Sequence, residues 1–148
     1  MTDPRDVLDR VLHLATLVSA DMDRFNRAHG LTGPRVHLLW VVGQAGPCTQ
    51  QSLAQALGVT PRNVTGLVDG LVASGHVTRQ PHPDDRRATL VTPTELGRHT
   101  IDGLLAGHED LAGRLFGAIP AHRLTVFSEV LEETVHRFEQ LAAAEAQE

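Results

Sequence analysis

The 148-residue sequence contains no tyrosine and no lysine, and Cys48 is its only cysteine. A single cysteine excludes an internal disulfide framework, any CxxC metal or redox pair, and structural zinc held by thiolates. No apolar run approaches the roughly 18 residues that would span a bilayer, so no membrane segment is expected. The opening Met1-Thr2-Asp3-Pro4-Arg5 lacks the n-region and apolar h-region of a signal peptide, and the expected compartment is the cytoplasm. GxSxG, Walker-loop, GxGxxG and HExxH patterns are missing as well, so no catalytic constellation, cofactor or metal is expected. Repeats, linkers and low-complexity tracts are absent too.

What is present reads as globular: 41% of residues are hydrophobic and 21% charged. A chain of this size buries about 70% of its unfolded surface and needs no staples. The net charge of −5 argues on its face against nucleic acid, because cations must replace the counterions along the phosphates. Its distribution matters more than its sum. Between Thr49 and Val91, Arg62, Arg79, Arg86 and Arg87 face Asp69, Asp84 and Asp85, four against three, whereas Thr125 to Glu148 carries six Glu and one Arg. The acid is concentrated in the last stretch.

Val7, Leu8, Val11, Leu14, Val18, Met22 and Phe25 recur at three- and four-residue steps, so Arg5 to Ala28 reads as one amphipathic helix ended by Gly30. Pro34 suits the first turn of a second helix carrying Val36, Leu39, Trp40 and Gly43, which stops at Gly46-Pro47. Thr49 can cap a third helix with Leu53, Ala54 and Leu57 inward and Gly58 at its end. Thr60 can cap a fourth, with Pro61 at its first position and Val64, Leu67, Val68, Leu71 and Val72 as its inward stripe before Gly75. Two short helices joined by a glycine-containing turn form a helix-turn-helix.

The period then changes. His76 to Gln80 and Ala88 to Thr92 read as strands around Pro81-His82-Pro83-Asp84-Asp85-Arg86-Arg87, a hairpin wing. Thr94 opens a helix with Ile101, Leu104, Leu105, Leu111, Leu115 and Phe116 inward, and Pro120 starts another with Leu124, Phe127, Leu131, Val135, Phe138 and Leu141 inward. At roughly 24 residues each, these helices would run about 36 Å. That is too long for a small wing to cover, and the economical partner is a second copy in a twofold dimer.

The first turn of the fourth helix presents Thr60, Pro61, Arg62, Asn63, Thr65 and Gly66 outward, the part suited to a major groove. Arg62 can donate bidentately to guanine O6 and N7, Asn63 suits adenine N6 and N7, and Thr65 can touch a phosphate or a thymine methyl. Gly66 allows close approach of the backbone. Thr49, Gln50 and Gln51, opening the preceding helix, can hold phosphates through exposed amides and the positive dipole end. At the hairpin tip, Arg86 and Arg87 suit a narrow minor groove, with Asp85 spaced to brace Arg87.

Thr60-Pro61-Arg62-Asn63-Val64-Thr65-Gly66-Leu67-Val68-Asp69, Asp85-Arg86-Arg87 and Thr94-Glu95-Leu96-Gly97 together give a chain that resembles the MarR family from end to end. The resemblance implies a mainly α fold with a small β-wing. Residues 1–148 would form a single domain, with 1–30 and 118–148 as dimerisation helices, 32–92 as the winged helix-turn-helix lobe and 93–117 as a connecting helix. It further implies a homodimer on double-stranded DNA at a pseudo-palindromic operator, usually a repressor. Arg62 and Asn63 would lie near bases and Arg87 in the minor groove, held by Asp69 or Asp85. Two departures stand out: Gly70 occupies a place where many members carry a basic residue, and His82 one where many carry Asp. The second would make the wing sensitive to pH.

Members of the family commonly release DNA when a small aromatic or phenolic acid enters a cleft. His13 and Val18 on the first helix and His37 and Trp40 on the second are the candidates to line one here. Other readings remain open. Cys48 would serve a redox-responsive regulator, Glu95 with His99 or Glu132 with His136 a metal-responsive one, and the same lobe could be a winged-helix module for protein contacts alone.

Overall fold

Caps decide where the helices begin. The computed structural model describes residues 3–146, and among them lie six helices and three strands: α1 Pro4–His29, α2 Gly33–Ala45, β1 Cys48–Thr49, α3 Gln50–Leu57, α4 Pro61–Ala73, β2 Val77–Pro81, β3 Thr89–Pro93, α5 Glu95–Phe116 and α6 Ala121–Glu145. Side-chain oxygens of Asp3, Thr49 and Thr60 accept the orphan amides of Arg5, Ser52 and Asn63. Gly58 ends α3 with φ 64°, a left-handed conformation that costs other residues a Cβ clash. Residues 1, 2, 147 and 148, the outer ends of the expected dimerisation stretches, lie outside the described residues.

Where the sequence reads as one domain, contacts divide the chain into two compact units, Met1–Leu105 and Ala106–Glu148. The core of the first gathers Leu38, Leu39 and Val42 of α2, Leu53 of α3, Val64, Val68 and Leu71 of α4, Val77 and Val91 of the sheet, and Ile101 of α5. Burying a side chain of this kind stabilises by about 1.5–3 kcal/mol, so the three α4 residues alone hold that helix firmly. Val72, expected to face inward, is 39% exposed, because a helix of thirteen residues has room for one apolar stripe and Val72 falls on its edge.

The hairpin strands sit one residue later than the pattern suggests, and a third strand joins them. The sheet order is β1-β3-β2, all antiparallel, with Val91 opposite both Cys48 and Arg79. Two residues are too few to show alternation, which is why β1 left no mark in the sequence pattern.

The sheet is tied to α5 by a close crossing. The His76 carbonyl accepts from Thr94 N at 3.0 Å, the Thr94 hydroxyl donates to the Gly75 carbonyl at 2.5 Å, and the same oxygen accepts from Gly97 N at 3.0 Å. A Cβ at Gly97 would overlap the His76 carbonyl oxygen, so glycine is required there. The His76 ring lies 2.7 Å from the Ser74 hydroxyl.

In the second unit the end of α5 and α6 meet through Phe116 and Phe127, with ring centroids 6.2 Å apart. The inward stripe expected of α6 is not enclosed. None of its residues is buried, and Phe138 is 73% exposed. In the first unit Val7, Leu8, Val11, Leu14 and Met22 of α1 are exposed as well, as is Leu115 of α5 in the second.

Burial, and secondarily the charge of His29, hold the His76 imidazole below its ordinary pKa. A depressed imidazole pKa adds stability that is complete above the unfolded value of about 6.5 and is lost as pH falls toward the folded one. Urea midpoints at pH 7.5 and 5.5, at one protein concentration, are therefore expected to differ more for the wild type than for His76→Gln. Parallel shifts would remove His76 from the account.

Candidate nucleic-acid interface

With Val64, Val68 and Leu71 buried, the opposite side of α4 is left to Arg62, Asn63, Thr65, Gly66 and Asp69, all exposed, behind the exposed Thr60 and Pro61. A Cβ at Gly66 would meet open space, so the backbone there is accessible to a groove wall. Thr60 spends its hydroxyl oxygen on the Asn63 amide at 3.2 Å, which leaves the Asn63 side chain free to point outward.

One chain of side-chain hydrogen bonds joins three elements. The Thr65 hydroxyl donates to the Pro61 carbonyl at 2.9 Å and accepts from Gln50 Nε2 at 3.0 Å. Gln50 Oε1 accepts from Arg79 Nε at 3.0 Å, and Arg79 Nη2 donates to Asp69 Oδ1 at 2.5 Å. α3, α4 and β2 are thereby locked in one arrangement. Gln50 and Thr65, read from sequence as DNA contacts, have hydrogen-bonding groups engaged inside the protein. Arg79 is the residue the sequence reading passed over, and only its long-range partners reveal its part.

Of Asp69 and Asp85, either of which was expected to hold Arg87, Asp69 pairs with Arg79, because a residue of α4 reaches the neighbouring strand before the distant tip. Asp85 Oδ1 accepts from the backbone amide of Arg87 at 2.9 Å, the short reach that an i, i+2 spacing favours. So Asp85 shapes the turn rather than binding the guanidinium. Two backbone bonds, His82 N to Ala88 O and Ala88 N to Asp85 O, both 3.1 Å, close the rest of the wing. His82 Nδ1 accepts from Asp84 N at 3.1 Å.

With Arg79 neutralised by Asp69, the charge balance of this face is Arg62, Arg86 and Arg87 against Asp84 and Asp85. Among the described residues those three guanidinium groups form no ion pair. At the start of α3, Thr49 is half-buried and Gln51 exposed.

Elsewhere in the first unit, His13 and His37 are exposed while Val18 and Trp40 are half-buried. Cys48 is half-buried. Burial pushes its thiol above the ordinary pKa despite a hydrogen bond with Ser52, the reverse of what a reactive thiolate needs. Among the described residues no group of three or more His, Cys, Asp or Glu is placed to hold a metal ion, and no helix is long and apolar enough to cross a membrane.

The sequence profile described as MarR family matches residues 29–88, a stretch that holds α2 to the wing. The HTH-type transcriptional regulator YcgE of Bacillus subtilis is 34% identical over 64 residues, 43% of this chain and 42% of that protein. The match therefore spans less than half of that relative's length. Among solved structures, FabT of Streptococcus pneumoniae in complex with DNA superposes with a TM-score of 0.74 at 19% identity, covering 90% of this chain and 99% of that one. That likeness is one of fold. CouR of Rhodococcus jostii RHA1, bound to p-coumaroyl-CoA, is 28% identical with a TM-score of 0.66, covering 87% of this chain and 91% of that one.

The lock between α3, α4 and β2 should be measurable as coupling. Asp69→Asn and Arg79→Gln are each expected to lower stability by about 0.5–1 kcal/mol, and the double variant to cost less than the sum by about 0.5 kcal/mol. Strict additivity in urea denaturation would mean that the pair is not coupled and has no hold on the wing.

Proposed function

We propose that the chain is a MarR-family winged-helix transcriptional regulator, a sequence-specific repressor that binds a pseudo-palindromic double-stranded operator as a homodimer. What supports this reading is the exposed start of α4 together with a wing whose first strand is bonded to α3 and α4, with Arg62, Arg86 and Arg87 outside any ion pair among the described residues. Arg62 and Asn63 read base edges in the major groove, and Arg87, with Arg86, enters the minor groove beside it. Thr49, Gln51, Thr60, Pro61 and Gly66 surround them at two helix N-termini, where main-chain amides favour phosphate.

A dimer follows from two separate features. Apolar stripes on α1 and α6 are exposed in the single chain, and a twofold partner would cover them. The face also carries a small net charge, three arginines against two aspartates, so tight binding relies on engaging two half-sites about 34 Å apart. Bound between promoter elements, such a dimer blocks transcription by occupying them.

Release by a small aromatic or phenolic acid is the effector mode we assign. It is supported by the aromatic acyl ligand of a relative 28% identical. His13, Val18, His37 and Trp40 are the residues to line the cleft, with the imidazole N–H groups of His13 and His37 to donate to a carboxylate. The elevated thiol pKa of Cys48 speaks for this mode over a redox one.

Operator affinity measured across a salt series tests the reading. Arg62→Ala is expected to cost about 1–3 kcal/mol and to relax one base position, whereas Arg87→Ala should weaken all sequences alike and lower the salt slope by about 1 per subunit. If neither change affected binding, a winged-helix module for protein contacts would replace the regulator.

A further inference from the structure

Gly70 departs from the basic residue common at its place in the family, and the structure fills the gap from another helix. A Cβ at Gly70 would overlap Nη2, Cζ and Nε of Arg35, so the guanidinium of this α2 residue lies flat against the α4 backbone. Arg35 belongs to the first turn of α2, and Val36, Leu38 and Leu39 beside it are buried, which fixes where its stem can start. Among the described residues its side chain forms no ion pair and donates no hydrogen bond. Arg35 is half-buried as a residue and its guanidinium has no partner among the described residues, which leaves its donors to an anion from outside.

The placement says which anion. Asn63, Gly66 and Gly70 recur at steps of three and four, so they form one strip along α4, and Arg35 lies over its far end. When the start of α4 sits in a major groove, the flank two turns further along faces the groove wall, where the phosphates are and the base edges are not. We propose that Arg35 is a phosphate-binding residue of this interface, delivered from α2, and that Gly70 is the positioning residue that makes room for it. The missing side chain at 70 is the passage that this cation uses. This rests on the DNA-binding reading of the same face.

The test uses the full chain, one operator duplex and one scrambled duplex of equal length, titrated across a salt series. Arg35→Gln keeps most of the stem and removes the charge. It is expected to weaken both duplexes by one common factor and to lower the log–log salt slope by about 1 per subunit, about 2 for the dimer. Gly70→Ala, which leaves the charge in place and displaces it, should lower the slope in the same direction. Combining Arg35→Ala with Gly70→Arg returns the cation to α4 and should restore the slope, an outcome that a merely structural role for either residue does not give. Arg35→Gln with an unchanged slope, or a combined variant that melts at the wild-type temperature without restoring it, would overturn the proposal. A wild type that bound neither duplex would bring down the DNA-binding reading itself, so the two failures are told apart.

Discussion

One short helix must be apolar on one side and open on the other, and the first unit is arranged around that demand. Val64, Val68 and Leu71 are buried almost completely in α4, packed with Leu38, Leu39 and Leu53 of the two preceding helices. Because the α-helical repeat puts positions three and four apart on one side, that burial leaves Arg62, Gly66 and Asp69 on the opposite side without further instruction. The core and the reading face are thus one decision. A change that loosens the buried stripe would also rotate the exposed one, so stability and recognition cannot be tuned independently here.

Rotation about the helix axis is settled by the core, but the wing needs its own reference, and polar bonds supply it. Gln50 links Thr65 to Arg79, and Arg79 links back to Asp69, so the strand that leads to the wing is registered against both helices. Each bond is on the surface and individually weak, yet together they close a ring through α3, α4 and β2. The crossing of Gly97 over the His76 carbonyl then secures the other end of the sheet. The strands that carry the wing are thereby tied to α3, α4 and α5, which reduces what must be ordered at the base of the wing on binding.

Local signals were legible in the sequence. Thr49, Thr60 and Gly58 sit where the caps and the left-handed stop were expected, since each acts within three or four residues of itself. What escaped depends on residues far apart in the chain. Arg79 looked like one more charge until its partners at positions 50 and 69 were in place. Arg35 carries no signal at all, because its role is written in the absence of a side chain at Gly70. The apolar stripes of α1 and α6 were legible as stripes, and a second copy was the expected cover, but periodicity alone cannot say whether the surface that covers an apolar stripe belongs to the same chain.

The central claim is that this face reads DNA in pairs, and hydroxyl-radical footprinting on the intergenic DNA beside the protein's own gene tests it most directly. The account predicts two protected segments on one side of the duplex, centred about one helical turn, about 34 Å, apart, each flanked by minor-groove protection from a wing. Protection of a lone segment, or none at protein concentrations that saturate the dimer, would contradict it.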